Sequence, residues 1–225
     1  MLNWIGLAVA FAFIFALIGL AQLLRRRGLV DSTVSRKIVH IGVSHWWLMA
    51  MYFHDSVGFA AVGPVVFIGL NYYSHRTRLF EAMEDETAPS NLGTVYFPVS
   101  LLVLVLLSYA GPMPAYVAGI GILILGYGDG LASLVGRAAR SPVLHLLGGQ
   151  KSVAGTLTMF IVSAVVAALF TYWGHPSRAG ILTAAIAPAL VTAAAATVVE
   201  FVTPRGVDNL TVPIITALFY HGVFA

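Results

Sequence analysis

Eight apolar runs separated by short polar stretches make up this chain. A helix needs about 17–25 mostly apolar residues to cross the hydrocarbon core, and its backbone must satisfy its own hydrogen bonds there. The pattern predicts an all-α, polytopic membrane bundle of eight transmembrane helices forming one domain over 1–225, with seven or nine as alternatives because prolines blur several boundaries. The predicted spans are 3–24, 38–53, 57–73, 92–110, 113–136, 153–173, 178–202 and 207–224.

Composition agrees with a membrane location. The chain is 59% hydrophobic and 9% charged, with a mean hydropathy of +0.90, whereas about a quarter of the residues of a soluble domain are charged. It has no cysteine, which excludes disulfides, thiolate catalysis and Cys-based metal sites. The first apolar run is followed by basic residues instead of being preceded by them, so no cleavable secretory signal is predicted.

The basic residues predict an orientation. With the N-terminus outside, eleven of the twelve Lys and Arg residues fall on the inner side, and Arg178 alone falls outside. This positive-inside pattern predicts that both termini face out and that the basic loops face the cytoplasm, as in a bacterial inner membrane. The inner basic residues are Arg25, Arg26, Arg27, Arg36, Lys37, Arg76, Arg78, Arg137, Arg140, Lys151 and Arg205.

The acidic residues gather on the same side, although the orientation rule does not require it. Only Asp55 falls outside. Acids among bases on one face indicate a site for an anionic ligand and a divalent cation, although plain solvated surface is an alternative for some of them. The inner acids are Asp31, Glu81, Glu84, Asp85, Glu86, Asp129, Glu200 and Asp208.

One long polar stretch interrupts the apolar pattern, at 74–91. It ends near Pro89, and it predicts a short cytoplasmic surface helix or a mobile lid. Leu79, Phe80 and Met83 are expected to dip into the membrane interface.

The segment SRKIVHIGVSH places Arg36, Lys37 and His40 on one helical face, through spacings of three and four residues. Asp31 or Ser32 is predicted to cap that helix. Such a face suits a phosphate, which a helix N-terminus also favours. Snorkelling basic side chains beside a packed histidine are the alternative.

The segment GYGDGLASLVGR carries Asp129, Ser133 and Arg137 at every fourth position, as one polar stripe on an apolar helix. A small-residue packing face would explain its glycines, Gly128 and Gly130 among them, but not an aspartate. Mg²⁺ is usually held by one or two carboxylates plus substrate phosphates, so Asp129 is a candidate magnesium ligand.

The segment GGQKSVAGT falls short of a P-loop, because Gln150 stands before Lys151 and no strand is predicted ahead of it. Lys151, Ser152 and free backbone N–H groups at a helix start would still form an anion site. Gly155 would let a phosphate or a neighbouring helix lie close.

The segment VEFVTPRGVDNLTVPI breaks the last apolar region with Glu200, Arg205, Asp208 and Asn209. An interhelical turn explains Pro-Arg-Gly, but Glu200 lies within the apolar run. An ionisable residue in a membrane segment is a candidate for function by default.

These four segments, in this order over 36–213, resemble the membrane family of CTP-dependent lipid-alcohol kinases: phytol kinase, dolichol kinase and the CTP-using diacylglycerol kinase. The closing segment is most similar to the phytol kinase branch. The resemblance implies transfer of the γ-phosphate of CTP to phytol, geranylgeraniol or another polyprenol at the cytoplasmic face. It implies Mg²⁺ as cofactor and no nucleic-acid partner.

The resemblance also implies roles for the candidate residues. The metal ligands would be Asp129, Glu200 and Asp208, and the catalytic residues Asp129, Lys151, Asp208 and His40. The residues contacting the nucleotide would be Arg36, Lys37, Gly128, Gly130, Ser133, Arg137, Lys151, Ser152, Gly155, Thr156 and Asn209.

One departure keeps alternatives open. Relatives often carry an acid two residues after the lysine-threonine pair, where this chain has Val153-Ala154-Gly155. Glu200 or the cluster Glu84–Glu86 would then have to compensate. A cytidylyltransferase that makes a CDP-lipid is the alternative enzyme, and an ion-coupled transporter using Asp129 and Glu200 is the alternative from another class.

Overall fold

The chain folds into a bundle of α-helices. A computed structural model describes residues 1–83, 91–146, 149–175, 177 and 180–225. Within them the helices are α1 Leu2–Arg26, α2 Ser32–Ser44, α3 Trp46–Phe53, α4 Val57–Thr77, α5 Gly93–Val105, α6 Ala115–Leu123, α7 Gly130–Ala138, α8 Val153–Gly174, α9 Leu182–Val202 and α10 Asp208–Phe224.

Six helical segments of the described chain are long and apolar enough to cross a membrane. Each begins and ends within four residues of a predicted span. The predicted spans 38–53 and 207–224 correspond to α2 with α3 and to α10, which are shorter. The bundle is confirmed, and the count of eight crossing helices and the outward termini stay predictions. The six segments are Leu2–Arg26, Val57–Thr77, Gly93–Ala110, Ala115–Ala138, Val153–Gly174 and Leu182–Val202.

The segment Ala115–Ala138 lies at the centre of the bundle. Its apolar window is 78% buried, against 28–44% for the other five segments. It is not one regular α-helix, because π-helical turns at Ile124–Asp129 join α6 to α7. Such π-bulges are frequent at functional sites. Here the bulge ends on Asp129.

A two-stranded hairpin follows α7, where the sequence pattern suggested only a linker. Strand β1 (Val143–Leu146) pairs antiparallel with β2 (Gly149–Ser152), in the register that sets Leu144 opposite Lys151. Each strand has only four residues, too few for an alternating pattern to reveal it. The hairpin leads directly into α8 and carries Lys151 to the cavity described below.

The polar stretch 74–91 is only partly described. Helix α4 continues through Thr77, and a 3₁₀ turn follows at Glu81–Met83. That turn is tied to α1 and α2, because Arg25 and Ser35 donate to the carbonyls of Glu81 and Ala82. Met83 is buried in the protein core instead of dipping into the interface. The rest of the predicted lid, including Glu84, Asp85 and Glu86, lies outside the described residues.

Candidate active site

One cavity of about 900 Å³ opens among the helices. One end of it is charged and the other is apolar. Among its described lining residues are five basic and four acidic side chains. They come from α2 and the residue before it, from the π-helical turns and α7, from β2 and α9, and from the start of α10 with the turn before it. These are Arg36, Lys37, Arg137, Lys151 and Arg205, with Asp31, Asp129, Glu200 and Asp208.

The start of α2 is fixed to the end of α7 at the mouth of this cavity. Asp31 caps α2, as predicted, by accepting from the Val34 N–H at 2.9 Å. The Oδ2 atom of Asp31 lies 2.9 Å from the Nη2 atom of Arg137. The Val34 amide and the Arg137 guanidinium hold the pKa of the Asp31 carboxyl below its usual value, although the group is exposed to solvent.

The side chains of Lys37, His40 and Asp129 form the first buried cluster. The Lys37 Nζ lies 2.6 Å from Asp129 Oδ2, and the His40 Nε2 lies 3.3 Å from the same oxygen. His40 Nε2 is also 3.1 Å from the carbonyl oxygen of Leu125, which can only accept, so this nitrogen carries the proton. His40 therefore donates to the Leu125 carbonyl, and this bond fixes the imidazole ring beside the Asp129 carboxylate.

The side chains of Lys151, Glu200 and Asp208 form the second buried cluster. Lys151 Nζ contacts Glu200 Oε1 directly and lies 3.7 Å from Asp208 Oδ2. Burial alone would lower the pKa of Lys151, but Glu200, Asp208 and Asp129 outweigh burial and raise it. Lys151 therefore stays protonated at neutral pH.

Lys37 and Lys151 are the only lysines in the chain. Lys37 is buried and Lys151 is half-buried, each against carboxylates at the same cavity and one in each cluster. Buried charges are costly unless they are paired, and each lysine supplies that pairing for the acids beside it. A polyanionic ligand entering this end would meet cations that can exchange a carboxylate partner for a phosphate oxygen.

Asp208 is held in place by the turn before α10. Its Oδ1 accepts from the N–H groups of Gly206 and Asn209, each at 3.0 Å. Gly206 has a φ of +93°, and a Cβ there would lie 1.8 Å from Asn91 Oδ1. Only glycine fits this turn, which explains the Pro-Arg-Gly sequence as the device that positions Asp208.

The start of α8 corrects one expectation. No free backbone N–H groups are available there, because those of Val153, Ala154 and Gly155 donate to Pro142 O, Ser141 Oγ and Ser152 Oγ, each at 3.0 Å. The hairpin brings Ser141 and Pro142 over this helix end, which no residue spacing revealed. Any anion bound here would depend on the Lys151 side chain.

The structure brings most predicted nucleotide contacts to this cavity, but not all. Gly128 and Gly130 do not line it. A Cβ on Gly128 would lie 2.7 Å from Met159 Sδ, and one on Gly130 would lie 2.5 Å from Ile41 Cγ1. Because neither glycine has a side chain, α8 packs closely against the central segment at Gly128, and α2 does so at Gly130. The predicted nucleotide contacts that line the cavity are Arg36, Lys37, Ser133, Arg137, Lys151, Ser152, Gly155, Thr156 and Asn209.

One polar residue at the cavity, on α4, was not among the predicted site residues. Asn71 lies in the apolar run of α4, is buried, lines the cavity, and donates to Thr94 O at 2.7 Å. A polar amide in an apolar run was the signal that could have revealed it.

The acids suit a hard divalent cation that is shared with a phosphate ligand. Glu200 Oε2 and Asn209 Oδ1 are buried oxygens that lack a hydrogen-bond partner, and oxygen is the ligand that Mg²⁺ prefers. Within the part of the chain that the structure describes, no three His, Asp or Glu side chains form a complete metal site. A magnesium ion would therefore need phosphate oxygens as well.

Several known proteins are similar over most of the chain. It is 32% identical to the phytol kinase of Synechocystis sp., over 96% of this chain and 90% of that protein. It is 31% identical to a probable chloroplastic phytol kinase of Zea mays, over 94% and 73% of the two chains. It is 32% identical to a probable phytol kinase 1 of Oryza sativa subsp. japonica, over 89% and 68%. No family model matches the chain, and no solved structure is significantly similar.

Proposed function

The chain belongs to the phytol kinase family, and from this membership we propose that it transfers the γ-phosphate of CTP to the hydroxyl of a lipid alcohol. The alcohol would be phytol, geranylgeraniol or another polyprenol. One observation carries the proposal: a single cavity is charged at one end and apolar at the other. Such a cavity suits a reaction between a nucleotide and a lipid.

The charged end suits the nucleotide phosphates. Phosphoryl transfer depends on positioning and on stabilising negative charge. Lys37 and Lys151 would contact the phosphates from opposite sides of the cavity, and Arg36 and Arg137 would contact them at the mouth. The excess of basic over acidic side chains at this end favours an incoming polyanion.

The acids have two roles in this proposal. Asp129, Glu200 and Asp208 are the candidate ligands of Mg²⁺, and one or two of them would hold it together with phosphate oxygens. Bound there, the ion would neutralise charge on the phosphates. Asp208, fixed by the Gly206 and Asn209 amides, would orient the lipid hydroxyl or take its proton, with Glu200 beside it.

Magnesium should bind well only together with the nucleotide, because the cavity's carboxylates already have lysine partners. We expect Mg²⁺ alone to change the thermal midpoint of the purified protein little, and CTP with Mg²⁺ to raise it more than CTP with EDTA. Turnover should stop in EDTA and return when Mg²⁺ is restored. Equal stabilisation by Mg²⁺ with and without nucleotide would contradict the shared site.

The site is proposed to face the cytoplasm of a bacterial inner membrane, with both termini outside. Because the chain has no cysteine, single cysteines report sidedness. In intact cells a membrane-impermeant maleimide should label Gly58→Cys, whose Cβ meets no neighbour. It should label Leu29→Cys, which is exposed, only after permeabilisation. The opposite pattern would invert the topology.

A substrate panel tests the proposed activity. The purified protein in detergent is incubated with labelled CTP or ATP and with phytol, geranylgeraniol, a long polyprenol or diacylglycerol. We expect label in the monophosphates of isoprenoid alcohols, with CTP preferred over ATP. Transfer to diacylglycerol alone, or from ATP alone, would overturn the substrate or the donor assignment respectively.

A further inference from the structure

The apolar end of the cavity is a defined arm between five helices, α1 to α5. We call the part lined by Ile14, Val43, Trp46, Gly63, Phe67 and Leu101 the apolar arm. Along α4 it extends from Asn71, near the charged end, to Gly63. Eight residues of helix correspond to about 12 Å at 1.5 Å per residue. The arm is therefore a deep slot that continues directly from the charged cluster.

Trp46 and Gly63 close the far end of this arm. Trp46 is 2% exposed, and a Cβ on Gly63 would lie 2.9 Å from its indole Nε1. The indole therefore lies directly on the backbone of α4, where any larger residue would displace it. Trp47 and other core residues pack behind Trp46, so the displaced ring would move toward the empty side, into the arm.

Resting on the proposed function, we propose that the apolar arm holds the hydrocarbon tail of the alcohol and that Trp46, seated on Gly63, limits the tail length accepted. The alcohol lies with its hydroxyl toward Asp208 and its hydrocarbon tail along the arm, with the end of the tail at Trp46. A hydrocarbon tail suits these walls because they are aliphatic and aromatic, and because the arm is continuous with the charged end where the hydroxyl must react.

Gly63→Ala tests the length limit, with Gly69→Ala as the matched control on the same helix. Gly69 is exposed and a Cβ there meets no neighbour. Gly63→Ala should lower kcat/KM for geranylgeraniol relative to geraniol by about tenfold, the scale on which apolar pockets discriminate size. Gly69→Ala should leave the ratio unchanged. An unchanged ratio in folded Gly63→Ala protein would overturn the length limit.

Val43→Phe is a second variant. Val43 is half-buried and lines the arm from α2, so the larger phenylalanine side chain should occupy part of the arm. It should shift the ratio in the same direction as Gly63→Ala. If neither variant folds, photolabelling of the wild-type protein decides.

Photolabelling tests whether the tail binds in the arm, independently of whether the protein has kinase activity. A geranylgeraniol bearing a diazirine near its tail should label Trp46 or Gly63, with the labelled residue located by fragmentation of the peptide, and unlabelled geranylgeraniol should compete. If unlabelled geranylgeraniol competes with this labelling but the protein shows no turnover, the proposed function is contradicted, whereas the binding of the tail in the arm is supported. Labelling confined to lipid-facing residues such as Val65, which is 54% exposed, or lacking competition, would overturn the arm.

Discussion

Asp129→Asn is expected to abolish phosphate transfer while the protein still folds. The substitution keeps the size of the side chain and an acceptor for Lys37 but removes the charge that faces Lys37 and His40. Removing one partner of a buried ion pair costs about 3–5 kcal/mol, and the retained amide oxygen should reduce that cost. Losing a charged group that positions phosphates costs about a thousandfold or more in rate.

The measurement is kcat for lipid phosphate formation in purified variants whose gel-filtration profile matches the wild type. Asp55→Asn is the control, since Asp55 is an exposed acid that bonds Asn3 away from the cavity, and it should retain activity. The double variant Lys37→Met with Asp129→Asn removes both charges of the pair. Activity restored in that variant would mean that Asp129 serves only to neutralise the buried charge of Lys37, and would contradict its role in phosphate transfer.

Lys151→Met is the second substitution with a large expected effect. It leaves Glu200 and Asp208 buried without their shared cation, and it removes the cation proposed to contact the phosphates. We expect loss of turnover by about a thousandfold or more, together with weaker binding of CTP. Equilibrium binding of labelled CTP measures the second effect without any turnover.

Lys151→Arg is the matched control because it keeps the charge on β2. A guanidinium is broader and planar, so the ion pair with Glu200 should persist while the phosphate geometry changes. We expect CTP binding to survive better than turnover in this variant. Full activity in Lys151→Met would show that phosphate transfer does not need this lysine.

The sequence alone predicted the helices and most of the charged end. Asp129 and Glu200 stood out because an acid in an apolar run has no packing reason to be there. Asp31 and Ser32 were the two predicted caps of α2, and the structure shows that Asp31 is the cap. These features are local, so spacing and hydropathy reveal them.

Features that depend on contacts between distant segments were not predictable. The pairing of Lys37 with Asp129 joins residues 92 positions apart, and that of Lys151 with Glu200 joins residues 49 apart. Two other features also depend on contacts between separate segments. One is the hairpin region that accepts hydrogen bonds from the first amides of α8, and the other is the contact of Trp46 with Gly63. The family resemblance also implied a ligand role for Gly128 and Gly130, whereas the structure shows close packing against α8 and α2.

Product analysis tests most directly whether the cavity is the site of a CTP-dependent lipid-alcohol kinase. The purified protein in detergent, with no sealed compartment, is given CTP labelled on the γ-phosphorus, Mg²⁺ and geranylgeraniol. The account predicts label in the lipid monophosphate and release of CDP in equal amount. In a parallel reaction with a lipid phosphate as acceptor, release of pyrophosphate with formation of a CDP-lipid would identify a cytidylyltransferase. No turnover without a sealed membrane would favour transport.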